Sequence, residues 1–191
     1  FYGRFLYPQS MWVDSLMMAG VFSAIIAAER GDEELRDFAL SQGPLFAKYL
    51  RDEESGLYHH SWWKMLGRPY PRNLFWGRGN GWVIASLPMI LQYLPENHPE
   101  RPEILRILSE TSEALLPFQR EDGWWNTLIE QPGRSYRESS ATALIAAGWL
   151  AGVRRGWLDE KYREPALKAF RSVVEAMPVG PGDDYHHMPE I

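Results

Sequence analysis

The sequence predicts an all-α fold, a ring of paired helices of which these 191 residues supply about three hairpins. Three observations predict it. Wholly apolar helical stretches alternate with amphipathic ones. Each pair runs into an aromatic, turn-rich loop. The cycle repeats at roughly 60 residues, a period that marks an αα array.

Residues 11–30 form the first apolar helix, with Met11, Leu16, Met17, Met18, Val21, Phe22, Ile25 and Ile26 around it. A helix apolar on every side is expected to be buried on every side. Gly31 ends it. Residues 32–51 form an amphipathic partner, and Gln42-Gly43-Pro44 predicts a bend or break there. An aromatic loop, 52–71, follows.

The second cycle runs from an apolar helix at Gly81–Leu94 to an amphipathic one at Arg101–Gln119, with Pro88 as a kink point. Its loop, Glu121-Asp122-Gly123-Trp124-Trp125, resembles Glu53-Glu54-Ser55-Gly56-Leu57-Tyr58 in the first. The third cycle pairs Ala141–Val153 with Glu160–Met177 and ends in a polar loop, 180–185.

Apolar helices need neighbours on both sides, and an inner ring jacketed by amphipathic outer helices supplies them. That arrangement is an (α/α) barrel, whose rim loops carry function. A closed six-hairpin ring needs about twice this length. Residues 1–191 therefore read as one domain holding a partial barrel, with N-terminal hairpins and the C-terminal closure expected elsewhere. An open helical-repeat scaffold is the competing architecture.

Composition narrows the function. The net charge is −5 with a pI near 5.6, and the signs are interspersed. No basic block invites nucleic acid. With no cysteine, disulfides, thiolate metal sites and cysteine nucleophiles are excluded. A reducing, cytoplasmic setting fits. The chain begins at Phe1 without a signal pattern, so any signal peptide is expected upstream. Residues 11–28 carry one charge, Asp14, but Asp14, Ser15, Gly20 and Ser23 make them a poor membrane span.

Asp14 is the most informative residue. At helical spacing it shares a stripe with Met17, Met18, Val21 and Ile25. Burial there favours the protonated acid, while the dipole of the first turn favours the charged one. Two readings stay open: a proton donor, or an acid bonding free backbone N–H groups.

Phe75-Trp76-Gly77-Arg78-Gly79-Asn80-Gly81-Trp82 is the second feature. Its glycines predict a tight backbone just before a helix. Arg78 can grip a carboxylate, and Trp76 or Trp82 can stack on a sugar. It is not a phosphate loop, because no Lys-Ser/Thr follows and no strand precedes it. An ordinary capping loop with core tryptophans is the plainer reading.

His59 and His60 are adjacent, so in an extended loop they point apart and make poor joint metal ligands. One can face a pocket as a polar or acid–base group. His186 and His187 read as rim residues. No metal-ligand spacing appears. Ser139 or Ser140 is expected to cap the third apolar helix. Nine tryptophans are expected to lie mostly in the core, with two or three at a saccharide-binding rim.

Four of these segments, in this order, resemble glycoside hydrolase family 105: Met11-Trp12-Val13-Asp14-Ser15-Leu16-Met17-Met18, Gly56-Leu57-Tyr58-His59-His60-Ser61-Trp62, Trp76-Gly77-Arg78-Gly79-Asn80-Gly81-Trp82 and Glu138-Ser139-Ser140-Ala141. The resemblance covers nearly the whole chain. It implies an (α/α)6 barrel acting on small oligosaccharides left by polysaccharide lyases, pectin-derived rhamnogalacturonan disaccharides above all. An acid protonates C4 of the terminal 4,5-unsaturated uronic acid, water adds at C5, and the sugar leaves without metal or organic cofactor. By resemblance Asp14 is the proton donor, His60 lies near the unsaturated sugar, and Trp12, Trp76, Arg78 and Trp82 line its subsite. The family's second pocket aspartate is expected upstream. Ser61 stands where many relatives have glycine. Two other classes compete: a non-catalytic carbohydrate-binding toroid, and another (α/α)-barrel sugar enzyme such as an epimerase.

Overall fold

The computed structural model describes residues 9–131 and 133–177. The 180–185 loop, His186 and His187 lie outside the described residues. Six α-helices pair into three hairpins: α1 (Phe22–Arg30) with α2 (Glu33–Leu50), α3 (Gly77–Gln92) with α4 (Arg101–Leu115), and α5 (Ser139–Arg154) with α6 (Arg163–Glu175). Short 3-10 turns extend α4 over Leu116–Phe118 and precede α6 over Glu160–Tyr162. The fold is therefore three hairpins of an (α/α) toroid.

α1, α3 and α5 form the inner row, with α3 packed along α5 and against the turn that leads into α1. α2, α4 and α6 back them. The two inner helices α3 and α5 touch at backbone distance. A Cβ on Gly148 would sit 2.4 Å from the Ile84 carbonyl oxygen, and one on Gly81 would sit 3.0 Å from the Leu144 Cβ. Ala141, near the start of α5, lies against the same face, its Cα 3.4 Å from a Cβ built on Gly81. The core between the rows holds Leu16, Ile84, Leu87, Ile107, Leu108, Trp125 and Trp149, each with no exposed surface.

Four details depart from the sequence expectation. The first apolar helix does not start at Met11. Residues Ser10–Trp12 form β1, which pairs antiparallel with β2 (Ser61–Trp63), itself paired with β3 (Arg68–Pro69). The ladder draws Met11 and Trp12 out of the expected helix, which begins instead with a π-helical turn, Leu16–Val21. Nor is this helix buried all round. Met18 is 64% exposed and Phe22 63%, because α2 and α3 cover its other sides.

α2 is not broken at Pro44. Proline removes one backbone bond, and burial of Leu40, Phe46 and Leu50 anchors the helix on both sides of it. Finally, α3 starts at Gly77 rather than Gly81, so the glycine-rich run is helix and not loop. The glycines serve close approach instead: a Cβ on Gly77 would meet the Asn126 carbonyl oxygen at 2.5 Å.

Gly31 behaves as expected: it adopts φ +65° and closes α1. Asp32 caps α2 by accepting from the Leu35 N–H at 3.0 Å. Among the described residues, no helix is long and apolar enough to cross a membrane.

Candidate functional site

The N-termini of the inner helices lie together at one rim, and the residues singled out in the sequence gather there. Asp14 sits at the turn between β1 and the π-helical segment, where its carbonyl accepts the N–H groups of Met17 and Met18. Its side chain is 33% exposed, less buried than an all-round apolar helix implies. One carboxylate oxygen, Oδ1, is fully buried and without a hydrogen-bond partner. That oxygen lies 4.0 Å from Nε2 of His60.

His60 is held by backbone. Its carbonyl accepts the Val13 N–H at 2.9 Å, carrying the β1–β2 ladder one step beyond the sheet and setting His60 beside Asp14. Its ring lies between two indoles, Trp12 at 5.0 Å edge-on and Trp76 at 4.6 Å. Burial disfavours the imidazolium and outweighs the pull of Asp14; the Arg78 charge adds to the effect, so the His60 pKa falls below the usual 6.5. His60 is a neutral ring at pH 7.

Trp76 and Arg78 come from the start of α3. The Arg78 guanidinium carbon stands 4.6 Å from the Trp76 ring centroid, a cation–π contact. Behind Arg78, Glu138 is 1% exposed and lies 3.7 Å away. Trp82 is half-buried one helical turn beyond Arg78 on α3. The five residues Trp12, Asp14, His60, Trp76 and Arg78 are thus linked by successive contacts, and Trp82 joins them only through its place on the helix.

His59 faces the other way, as expected of neighbours in an extended segment. It is buried, stacks on Phe75 at 4.8 Å and lies 3.7 Å from Asp52. Burial lowers its pKa too, against the pull of Asp52. Of the tryptophans, Trp124, Trp125 and Trp149 are core; Trp12, Trp62, Trp63, Trp76, Trp82 and Trp157 stay half-buried.

Two supporting residues were missed by sequence reasoning. Asn80 is fully buried and clamps the histidine segment to α3. Its Oδ1 accepts the Tyr58 N–H at 2.8 Å, and its Nδ2 donates to the carbonyls of Tyr58 and Trp76 at 2.9 and 3.0 Å. The amide imitates a neighbouring strand, a role invisible without knowing where residue 58 runs. Glu138, not Ser139 or Ser140, caps α5: its carboxylate accepts from the Ala141 N–H and, at 2.7 Å, from the Ser140 hydroxyl. An acid just ahead of an apolar helix was the available signal.

Among the described residues, no group of three or more histidine and carboxylate side chains is placed to hold a metal ion. A separate hollow of about 440 Å³, bounded by Asp122, Trp124, Arg137 and Ser172, opens near the start of α5. Of its two acids, Asp122 and Glu175, Asp122 is already paired with Arg120 and Arg137.

Fold and site together define a class: an (α/α) toroid with an acid, a neutral histidine and an arginine set among indoles at one rim. The family described as Glycosyl Hydrolase Family 88 matches residues 1–183. The chain belongs to this family, and the likeness to family 105 carried by its motifs holds. A family 105 glycoside hydrolase of C. acetobutylicum superposes with a TM-score of 0.88 at 28% identity, over 96% of this chain and 54% of that one.

The unsaturated rhamnogalacturonyl hydrolase YesR of Bacillus subtilis is 32% identical over 90% of this chain and 48% of its own length. The unsaturated 3S-rhamnoglycuronyl hydrolase of an Alteromonas species is 31% identical over 87% and 41% respectively. The chain spans somewhat less than half the length of these curated relatives.

Proposed function

We propose that the protein of which this chain forms part removes a 4,5-unsaturated uronic acid from the non-reducing end of lyase-generated oligosaccharides, rhamnogalacturonan disaccharides in particular. The single observation that carries this reading is the cluster itself: a carboxylate with a buried, unbonded oxygen, 4.0 Å from a neutral histidine, with an arginine two contacts away.

In this reading Arg78 pairs with the uronate carboxylate, and Trp12, Trp76 and Trp82 flank the sugar ring. Asp14 gives a proton to C4 of the enol ether and leaves a cation shared by C5 and the ring oxygen. Water adds at C5 and loses a proton. The resulting hemiketal opens, and the C1–O bond to the leaving sugar breaks in the rearrangement that follows. Neutral His60 bonds the sugar near the reacting carbons. The chemistry calls on no metal or organic cofactor. The names of YesR and the Alteromonas enzyme support the substrate class. The three hairpins form about half of a closed ring in this proposal, and an acidic, cysteine-free chain suits a cytoplasmic enzyme.

The test is Asp14→Asn in the product of the complete reading frame, followed by the ultraviolet absorbance of the unsaturated uronide. Loss of that absorbance is expected to slow by roughly 10²–10⁴-fold. A variant that consumes it at the wild-type rate overturns the proposal, and binding without turnover by the wild type points to a carbohydrate-binding toroid.

A further inference from the structure

Beyond the acid and the arginine, the site has a direction, and Trp63 lies at the far end of it. Contacts run in one series: Arg78 on Trp76, Trp76 on His60, His60 on Trp12, and Trp12 on Trp63 at 5.8 Å. Asp14 joins this series at His60. The arginine therefore marks one end, the acid stands in the middle, and the other end is a pair of indoles with no charge of its own.

Strand register puts those two indoles on one face. Trp12 is opposite Ser61 and Trp63 is opposite Ser10 across the β1–β2 ladder, so Ser10, Trp12, Ser61 and Trp63 share the side that carries the site. Trp62 points to the reverse side, where it meets Tyr49 at 4.9 Å. The two rings are also fixed in orientation. The Trp12 indole N–H donates to the Ser10 hydroxyl at 3.0 Å, and that of Trp63 to the Ser61 hydroxyl at 2.8 Å. Ser61 in turn donates to the Tyr70 carbonyl at 2.6 Å. Both rings have spent their polar edge on the protein and stay half-buried, unlike Trp125 and Trp149, which have no exposed surface. A rigid, partly open indole is suited to lie against the apolar face of a sugar.

We infer that Trp63, on the far side of Trp12, is the platform for the sugar that leaves, and so sets the preference for what is attached to the uronic acid. This rests on the proposed hydrolase reading. In an unsaturated uronide the carboxylate on C5 and the leaving group on C1 diverge across the ring oxygen. With the carboxylate at Arg78 and C4 at Asp14, the leaving sugar extends away from Arg78, past Trp12 and over Trp63.

The experiment compares two substrates of the complete enzyme: an unsaturated uronyl disaccharide, and the methyl glycoside of the same unsaturated uronic acid, which offers Trp63 nothing to hold. Trp63→Leu is expected to lower the ratio of kcat/KM for disaccharide over methyl glycoside by about three- to tenfold, mainly through KM for the disaccharide. Trp63→Phe, which keeps a ring in the ladder, retains part of the preference and serves if the leucine variant does not fold. General loosening of the site slows both substrates together and leaves the ratio unchanged; that result overturns the inference. A wild type inactive on both substrates overturns the hydrolase reading, and the platform with it.

Discussion

Asn80 has every polar atom of its side chain engaged, and all three bonds go to backbone. Replacing it with alanine strands the N–H and the carbonyl of Tyr58 away from water, while the Trp76 carbonyl keeps the backbone N–H of residue 80. We predict that Asn80→Ala costs on the order of 3 kcal/mol in denaturant unfolding, and that under the proposed hydrolase reading the folded variant consumes unsaturated uronide more slowly because the His60 segment is no longer tied to α3. The residues touching the proposed reaction were legible in the sequence: Trp12, Asp14, His60, Trp76 and Arg78 do converge. Those that hold them were not. Asn80 acts on residue 58, Ser10 and Ser61 act through a three-residue ladder, and Glu138 reaches Arg78 across 60 positions of chain. Such roles depend on where loops run, which spacing along one segment does not encode.

At the scale of elements, hydrophobic periodicity located each long helix of the described residues but misplaced two beginnings. α1 loses its first residues to a strand whose partner lies 50 positions away, and no local propensity competes with that pairing. α3 gains four residues that look like a loop because they are rich in glycine. Helix propensity argues against them, but the near contact of inner helices requires them. The same requirement gives a prediction. Gly148→Ala improves local helix propensity yet drives a methyl group against the Ile84 carbonyl, 2.4 Å away. Backbone on both sides gives little room, so the variant is expected to lose roughly 1–3 kcal/mol and to show a lower midpoint in thermal melting.

For the whole molecule, acid acts in two stages. The pKa values of His59 and His60 are depressed chiefly by burial from the usual 6.5. The unfolded chain therefore binds protons more readily than the native one below that pH. Stability that is complete above 6.5 falls as pH drops through the lowered histidine values. Asp52 and Asp122 follow. Burial opposes their ionisation, but the Ser55 N–H and hydroxyl with His59 win at Asp52, and Arg120 with the Trp124 N–H and Arg137 win at Asp122. Both pKa values lie below the ordinary 3.8, so their contribution is present above that value and is lost beneath it. Urea midpoints measured from pH 8 to pH 3 should show a first decline starting near 6.5 and a second near 4; His60→Gln should shrink the first and spare the second. The ring architecture was the most legible level of all, because three alternations of apolar and amphipathic helix admit few packings.

The turn over Leu16–Val21, where each backbone bond closes one residue later than in an ordinary helix, bears on how this stretch is lined up with its relatives. A loop of that kind is how a helix swallows a surplus amino acid without twisting what lies on either side. Asp14 keeps its place against the sheet while Ala24 and Ala27 still face inward. A homologue with a plain helix here is therefore expected to be a single position shorter between the acid and the first buried alanine, and matching the two requires a gap inside the helix rather than in a neighbouring loop.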